Sequence, residues 1–194
     1  MKEELTKQSI KLFERKGFSS TSVQDIVDSS SVTKGTFYYY FTSKETLLMD
    51  IHLRYINDLL KRQKTILDSN ESCRNQLVKI IELLINDIQA QGSNVRVYFR
   101  EMRHLSPENF IVIKKKRRMF HSVIEQIISN GIEKNEFRDS LNPKITTFAI
   151  LGVTNWSYEW FDSAGDVSSE ELAVMYMDFI LHGIDSRGAM TDGE

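Results

Sequence analysis

The chain is poor in the residues that pin or punctuate a fold. Its one cysteine, Cys73, excludes an internal disulfide and suits a reducing cytoplasm. Two prolines and nine glycines in 194 residues leave little material for turns, so long helices are expected. No apolar run reaches the roughly 18 residues of a membrane span, and the N-terminus is too polar for a secretory leader. There is no phosphate-binding glycine loop. The four histidines, His52, His104, His121 and His182, are scattered without metal-ligand spacing. Cys73 adjoins a polar turn and has no histidine near it in sequence. Catalysis, a metal centre and a cofactor are therefore not expected. Nor is there an excess of positive charge: the net charge is −2, unlike that of a protein that coats nucleic acid. What the chain does have is a hydrophobic content of 41%, enough for a real core.

The most informative stretch is residues 20–46. Thr21 or Ser22 can cap a short helix, with Gln24 or Asp25 three residues on, and Val23, Ile26 and Val27 then share one face. Ser29 to Ser31 break that helix, and Thr33 caps a second over 34–40. Thr42 or Ser43 begins a third, with Glu45 three residues after Thr42. Two capped short helices around a small-residue turn form a helix-turn-helix, whose second helix enters a DNA major groove by its N-terminal end. That helix carries Lys34, Gly35, Thr36, Tyr38, Tyr39 and Tyr40. Gly35 costs about 1 kcal/mol relative to alanine and makes sense where something approaches the backbone closely. Lys34 and Thr36 can reach phosphates or base edges. Phe37 and Phe41, one turn apart, take the core side, which turns Tyr38 and Tyr39 outward. Simple packing of the tyrosines is the alternative, above all for Tyr40.

Val32-Thr-Lys-Gly-Thr-Phe-Tyr-Tyr-Tyr-Phe-Thr-Ser-Lys-Glu-Thr-Leu47, with Lys16-Gly-Phe18 and Thr21-Ser-Val-Gln-Asp-Ile26 before it, closely resembles the TetR family of bacterial repressors over about the first 48 residues. The resemblance implies an all-α homodimer: a three-helix DNA-binding domain, residues 1–46, and a helical ligand-binding and dimerisation domain, residues 47–194. It implies DNA contacts from Lys34, Gly35, Thr36, Tyr38, Tyr39 and Tyr40, with the capping Thr33 beside them. It also implies a phosphate contact from Lys44, where the helix N-terminus already favours an anion. Residues 1–50 hold seven basic and seven acidic side chains, so binding must rest on local placement and dimer symmetry.

The rest of the chain reads as amphipathic helices. Residues 2–16 bury Leu5, Ile10 and Phe13 and stop at Gly17. A long helix over 43–67 carries Leu47, Leu48, Ile51, Tyr55, Leu59 and Ile66, and is the natural lever between ligand and DNA. Residues 73–91 form a core helix that Gly92 ends. Over 94–105, Val95, Phe99 and Met102 lie beside a stripe of Arg96, Arg100 and Arg103. The stripe either pairs with Glu101 or Glu108, or places Arg100 or Arg103 at the mouth of a pocket for a phosphate or carboxylate. Ser106-Pro107 starts a helix that Gly131 closes. Its run Lys114–Arg118 is a solvated face, or Lys115 and Arg118 hold an anionic ligand group. Asn142-Pro143 caps a helix with Ile145, Ala149, Gly152, Trp156 and Trp160 along one side, and the tryptophans suit a dimer interface, a pocket wall or plain core. Ser168 and Glu171 cap the last helix, whose buried face is Leu172, Met175, Tyr176, Phe179 and Ile180; Gly183 ends it, and a polar tail follows from Asp185.

Tyr98-Phe-Arg-Glu101 and Leu151–Trp160 further resemble the TetR regulators that respond to acyl coenzyme A thioesters. That resemblance implies such an inducer, with Phe99, Arg100, Met102, Arg103, Arg118, Trp156 and Trp160 as candidate contacts. The leading expectation is a ligand-responsive repressor in a bacterial cytoplasm, associated with the nucleoid, whose partners are operator DNA, an inducer and a second copy of itself. The alternative is a DNA-binding structural or division-control protein on the same fold without an inducer.

Overall fold

The computed structural model describes residues 1–162 and 164–183; the expected polar tail from Asp185 lies outside them. Among the described residues there are eight α-helices, one short 3-10 helix and no strand, so the chain is all-α. The helices are α1 (Lys2–Lys16), α2 (Val23–Ser29), α3 (Lys34–Tyr40), α4 (Lys44–Leu67), α5 (Cys73–Arg100), α6 (Pro107–Glu133), α7 (Pro143–Trp160) and α8 (Ser169–His182), with the 3-10 turn at Met102–His104. No helix of the described residues is long and apolar enough to cross a membrane. The chain divides into two compact units. Met1–Thr65 joins Gln91–Ser122 in the first; Ile66–Ala90 joins the described residues from Val123 onward in the second.

In the first unit the capping residues fix where each short helix begins. Ser22 Oγ accepts from Asp25 N at 3.0 Å while the Asp25 carboxylate accepts from Ser22 N at 2.8 Å, a reciprocal box. Thr33 Oγ1 accepts from Thr36 N at 3.2 Å, and Ser43, rather than Thr42, caps α4 by accepting from Thr46 N at 3.0 Å. Helices of seven residues do not persist alone in water, so α2 and α3 survive by burying Ile26, Val27 and Phe37 against Leu5, Leu12, Phe13, Leu47 and Leu48 of the same core. Ile10, expected in that core, is only half-buried, and Leu12 takes its place. Glu45, not needed as a cap partner, accepts instead from Ser106 N at 3.2 Å and Asn109 Nδ2 at 2.6 Å at the start of α6. Phe18, after α1, stacks on His104 with ring centroids 5.3 Å apart. The corner between α5 and α6 therefore grips the loop after α1 and the first turn of α4. Farther along, Gln63 of α4 donates to Phe120 O of α6 at 2.9 Å.

The second unit is built on Leu77, Ile80, Ile81, Leu84, Ile85 and Ile88 of α5, the expected stripe, packed with Ile124, Ile127 and Ile128 of α6, Ile150 and Leu151 of α7, and Leu172 and Ala173 of α8. Cys73 is buried here, and burial raises its thiol pKa. Asn142 caps α7 by accepting from Ile145 N at 3.0 Å, and Ser168 and Glu171 form the box expected at α8.

Three expectations need correcting. Gly92 does not end α5: the helix kinks at Gln91 (φ −145, ψ 41) and runs on to Arg100. Gly131 does not close α6, which continues to Glu133; the glycine is there because the Phe137 ring folds back onto it, and a Cβ would meet that ring at 2.2 Å. On α8, Met175 and Phe179 are exposed rather than buried, and Leu172 and Ala173 carry the inner contact.

Gly131→Ala is expected to lower stability by about 1–3 kcal/mol, because the added methyl overpacks against a ring. Phe137→Ala should remove most of that penalty, so the double variant should cost clearly less than the two single ones summed, in urea or thermal melts. Additive losses would contradict this packing.

Candidate nucleic-acid interface and inner polar cluster

The orientation of α3 follows from one buried side. Phe37 is fully buried and Phe41 nearly so, which turns Tyr38 (53% exposed) and Tyr39 (81% exposed) out to solvent. Thr33, Lys34 and Gly35 are exposed, and Thr36 and Tyr40 half-exposed. Tyr40 meets the Tyr39 ring edge-on at 4.9 Å. A cation in the first turn of a helix opposes the helix dipole, at a cost of about 0.3–1 kcal/mol, yet Lys34 stands there with no acidic partner among the described residues. Gly35 is likewise unexplained from within: a Cβ would meet only Thr33 Oγ1, at an ordinary 3.5 Å. The outer end of α3 thus carries two locally unfavourable choices that no contact among the described residues explains. All the candidate α3 contacts present themselves on this one helix.

Lys44 is used differently. Its ammonium turns inward, donates to Phe18 O at 2.7 Å and Thr21 O at 2.6 Å, and lies 4.3 Å over the Phe18 ring. Burial lowers its pKa. It fastens the loop between α1 and α2 to the start of α4, which leaves one N–H for any outside group. Asp25 beneath it has its carboxyl held well below the usual range, first by the hydrogen bond from Lys16 (2.8 Å) and then by Ser22.

The candidate ligand residues separate. Arg100, Arg103 and Arg118 are exposed. The charge of Arg100 acts on Glu14, whose nearer partner is Arg96, and Arg103 Nε donates to His104 Nε2 at 3.3 Å. Phe99 and Met102, by contrast, are drawn into a cluster with residues that the sequence did not single out. The Arg117 guanidinium lies 5.8 Å over the Phe99 ring and donates to Met102 Sδ at 3.3 Å. Tyr98 is buried, its ring 4.6 Å from Tyr55 and 5.3 Å from His52. His52 is fully buried, with Nδ1 2.9 Å from Leu48 O. The Tyr98 hydroxyl has no hydrogen-bond partner, a state that costs about 1–3 kcal/mol for a buried polar group. Burial pushes its pKa far up, so it keeps its proton; the Arg117 charge pulls only weakly the other way. Helical phase could have exposed Arg117, which is four residues after the buried Ile113 and three before the buried Phe120.

In the second unit Trp156 (63% exposed) and Trp160 (52% exposed) lie on the outside of α7 with Ile145, Phe148 and Gly152. A Cβ on Gly152 would meet nothing within 4 Å. α8 adds Val174, Met175 and Phe179 to the exposed apolar surface.

Residues 70–184 match the family model described as tetracyclin repressor-like, C-terminal domain, and residues 5–51 match the one described as bacterial regulatory proteins, tetR family. The HTH-type transcriptional repressor KstR2 of Rhodococcus jostii is 27% identical over 177 residues, 90% of this chain and 86% of that protein. The structure of the ketosteroid transcriptional regulator KstR2 of Mycobacterium tuberculosis superposes with a TM-score of 0.88 at 24% identity, covering 96% of this chain and 95% of that one. AibR, solved with isovaleryl coenzyme A and operator DNA, superposes with a TM-score of 0.84 at 21% identity, covering 93% and 97%. These relatives are transcriptional regulators, not enzymes.

Burial and the Arg117 charge lower the pKa of both His52 and His121. The unfolded chain therefore binds more protons than the folded one below about pH 6.5. Stability should fall as pH drops through that value, by up to about 1.4 kcal/mol per pH unit for each histidine. His52→Gln should flatten the slope by one proton's worth in urea melts between pH 7 and 5; an unchanged slope would show that His52 takes up its proton without cost.

Proposed function

Because the chain belongs to the TetR family of bacterial regulatory proteins, we propose that it is a transcriptional repressor that binds its operator as a homodimer through α3 and is released by a small apolar or acyl-CoA-like inducer. The observation that carries the DNA reading is the outward face of α3, where a cation in the first turn, a glycine with no internal reason and two exposed tyrosines share one surface. In this reading Lys34, Gly35 and Thr36 approach base edges and phosphates, with Thr33 at the helix start. Tyr38, Tyr39 and Tyr40 offer hydroxyls to the backbone, and Lys44 contributes its remaining donor from the α4 N-terminus. Residues 1–46 are the reading head and residues 47–194 the ligand-binding and dimerisation part. The protein would act at the nucleoid, in the cytoplasm.

The second copy is supported by the bare apolar faces of α7 and α8. Gly152 in the middle of a helix face, with open space over it, suits the backbone of another helix coming close, and Trp156 and Trp160 flank it as anchors. This supports an interface role for the tryptophans. Two recognition helices related by a two-fold axis then meet half-sites about one DNA turn apart. The grip of Ser106 and Asn109 on Glu45, and of His104 on Phe18, offers a path by which a change around α6 reaches the first turn of α4. An acyl coenzyme A thioester is the inducer class to test first, since AibR was solved with one.

Lys34→Ala and Tyr39→Ala should each weaken binding to DNA from upstream of the protein's own gene by about 10-fold or more, with melting temperature unchanged because both side chains are exposed. Lys34→Ala should also reduce the slope of log affinity against log salt by about one. Unchanged affinity in both variants would remove α3 from the interface. In sedimentation velocity the wild type should run as a dimer and Trp160→Arg as a monomer; a wild type that stays monomeric at tens of micromolar would contradict the α7–α8 pairing.

A further inference from the structure

We propose that Tyr98 and Arg117 are the recognition groups of an internal site for an acyl oxygen, the carbonyl or carboxylate end of a small apolar chain. The proposal rests on the inducer reading above and sharpens it by naming the groups that read the ligand. It starts from two polar side chains in the first unit that the protein leaves unanswered.

Tyr98 is 2% exposed and its hydroxyl has no partner. The ring cannot swing out to find one, because Tyr55 (4.6 Å), His52 (5.3 Å) and Phe99 (5.4 Å) surround it. Held in its protonated form by burial, it is a donor without an acceptor.

Arg117 is the complementary case. Its guanidinium has five N–H donors, yet the one acceptor it meets among the described residues is the Met102 thioether, a weak one. No carboxylate among the described residues pairs with it, although Arg96 and Arg54 of the same unit both have acidic partners. Instead it lies over Phe99, and its charge reaches Tyr98, His52 and His121. Both histidines are held toward the neutral form, so they add no competing charge. His52 uses Nδ1 on Leu48 O, while its Nε2 is, like the Tyr98 hydroxyl, buried without a hydrogen-bond partner.

An orphan neutral donor and an unpaired guanidinium, on an otherwise aromatic and thioether surface, fit one chemistry. The ligand atom is an acceptor oxygen with negative charge or strong polarisation, carried on an apolar body. A carboxylate would take two N–H groups from Arg117 and the proton of Tyr98; a thioester carbonyl would take one of each. A cation or a hydrogen-bond donor is disfavoured by both groups. Tyr98 and Phe99 sit at the end of α5 and Arg117 on α6, the two helices whose corner holds Glu45 and Phe18. The site is therefore built on the same two helices that carry the contacts fixing the start of α4.

The test uses the full chain and titration calorimetry with butyrate, octanoate and dodecanoate, their coenzyme A thioesters, and 1-octanol and 1-dodecanol as chains that lack the carbonyl. At least one acid or thioester should bind at least 10-fold more tightly than the alcohol of the same length. Which arm binds distinguishes free acid from thioester. Tyr98→Phe should weaken that ligand about 3- to 10-fold and Arg117→Gln about 10- to 100-fold, with alcohol binding and operator affinity unchanged. Unliganded Tyr98→Phe should melt no lower than wild type, since it loses only an unpartnered hydroxyl. The proposal is overturned if no acid or thioester binds the wild type, or if both variants bind as the wild type does. In that second case, a ligand that still releases operator DNA leaves the inducer reading standing while this site falls. Failure of the unliganded protein to bind operator would strike the DNA reading alone.

Discussion

Burial of the Phe37 ring decides which way α3 faces. A seven-residue helix has room for one inward position per turn, and here Phe37 and then Phe41 occupy it. Once they are inside, 3.6-residue geometry turns Tyr38 and Tyr39 to solvent, while Lys34, on the Phe37 side of the wheel, stays exposed as the first residue of the helix. The surrounding structure serves that placement. Thr33 sets the first residue of the helix, Lys44 ties the preceding loop to the next helix through two carbonyls, and Glu45 fastens α4 to the start of α6. None of these bonds is individually large. Together they hold a short element that has too little surface to hold itself.

Much of this was legible in the residues. The caps at Ser22, Thr33, Asn142 and Ser168 depend only on neighbours three positions on, and local chemistry of that kind survives the passage from sequence to structure. The phase of α3 was legible for the same reason. Helix ends were less so, because glycine has more than one use. Gly17 does end α1, at φ 80, but Gly131 sits inside α6 to admit the Phe137 ring, and the break in α5 falls at Gln91, a residue type with no breaking tendency. Close approach and tertiary bending are not written in the local pattern.

The inner cluster was missed for a different reason. Lys114 to Arg118 reads as a block of charge, and a block invites one explanation for all its members. The helix sorts them individually: Arg118 faces water while Arg117, one residue earlier, turns onto Phe99 and Met102. His52 and Tyr98 were hidden among apolar neighbours in the same way. The outer faces of α7 and α8 show the converse. An apolar stripe states that something covers it, not whether the cover is the same chain; Trp156 and Phe179 are apolar by sequence and exposed in the single chain.

The lone thiol has a practical side. Cys73 is buried and its pKa is raised by that burial and by Glu136 nearby, so it is a poor nucleophile toward maleimides and a poor partner for air oxidation. A new cysteine placed at the exposed position 39 of α3 would therefore be the single reactive thiol in the chain. The wild-type background is already suited to attaching one fluorophore or spin label per chain at the proposed reading head, and to measuring the spacing between the two copies proposed to pair, without first engineering a cysteine away.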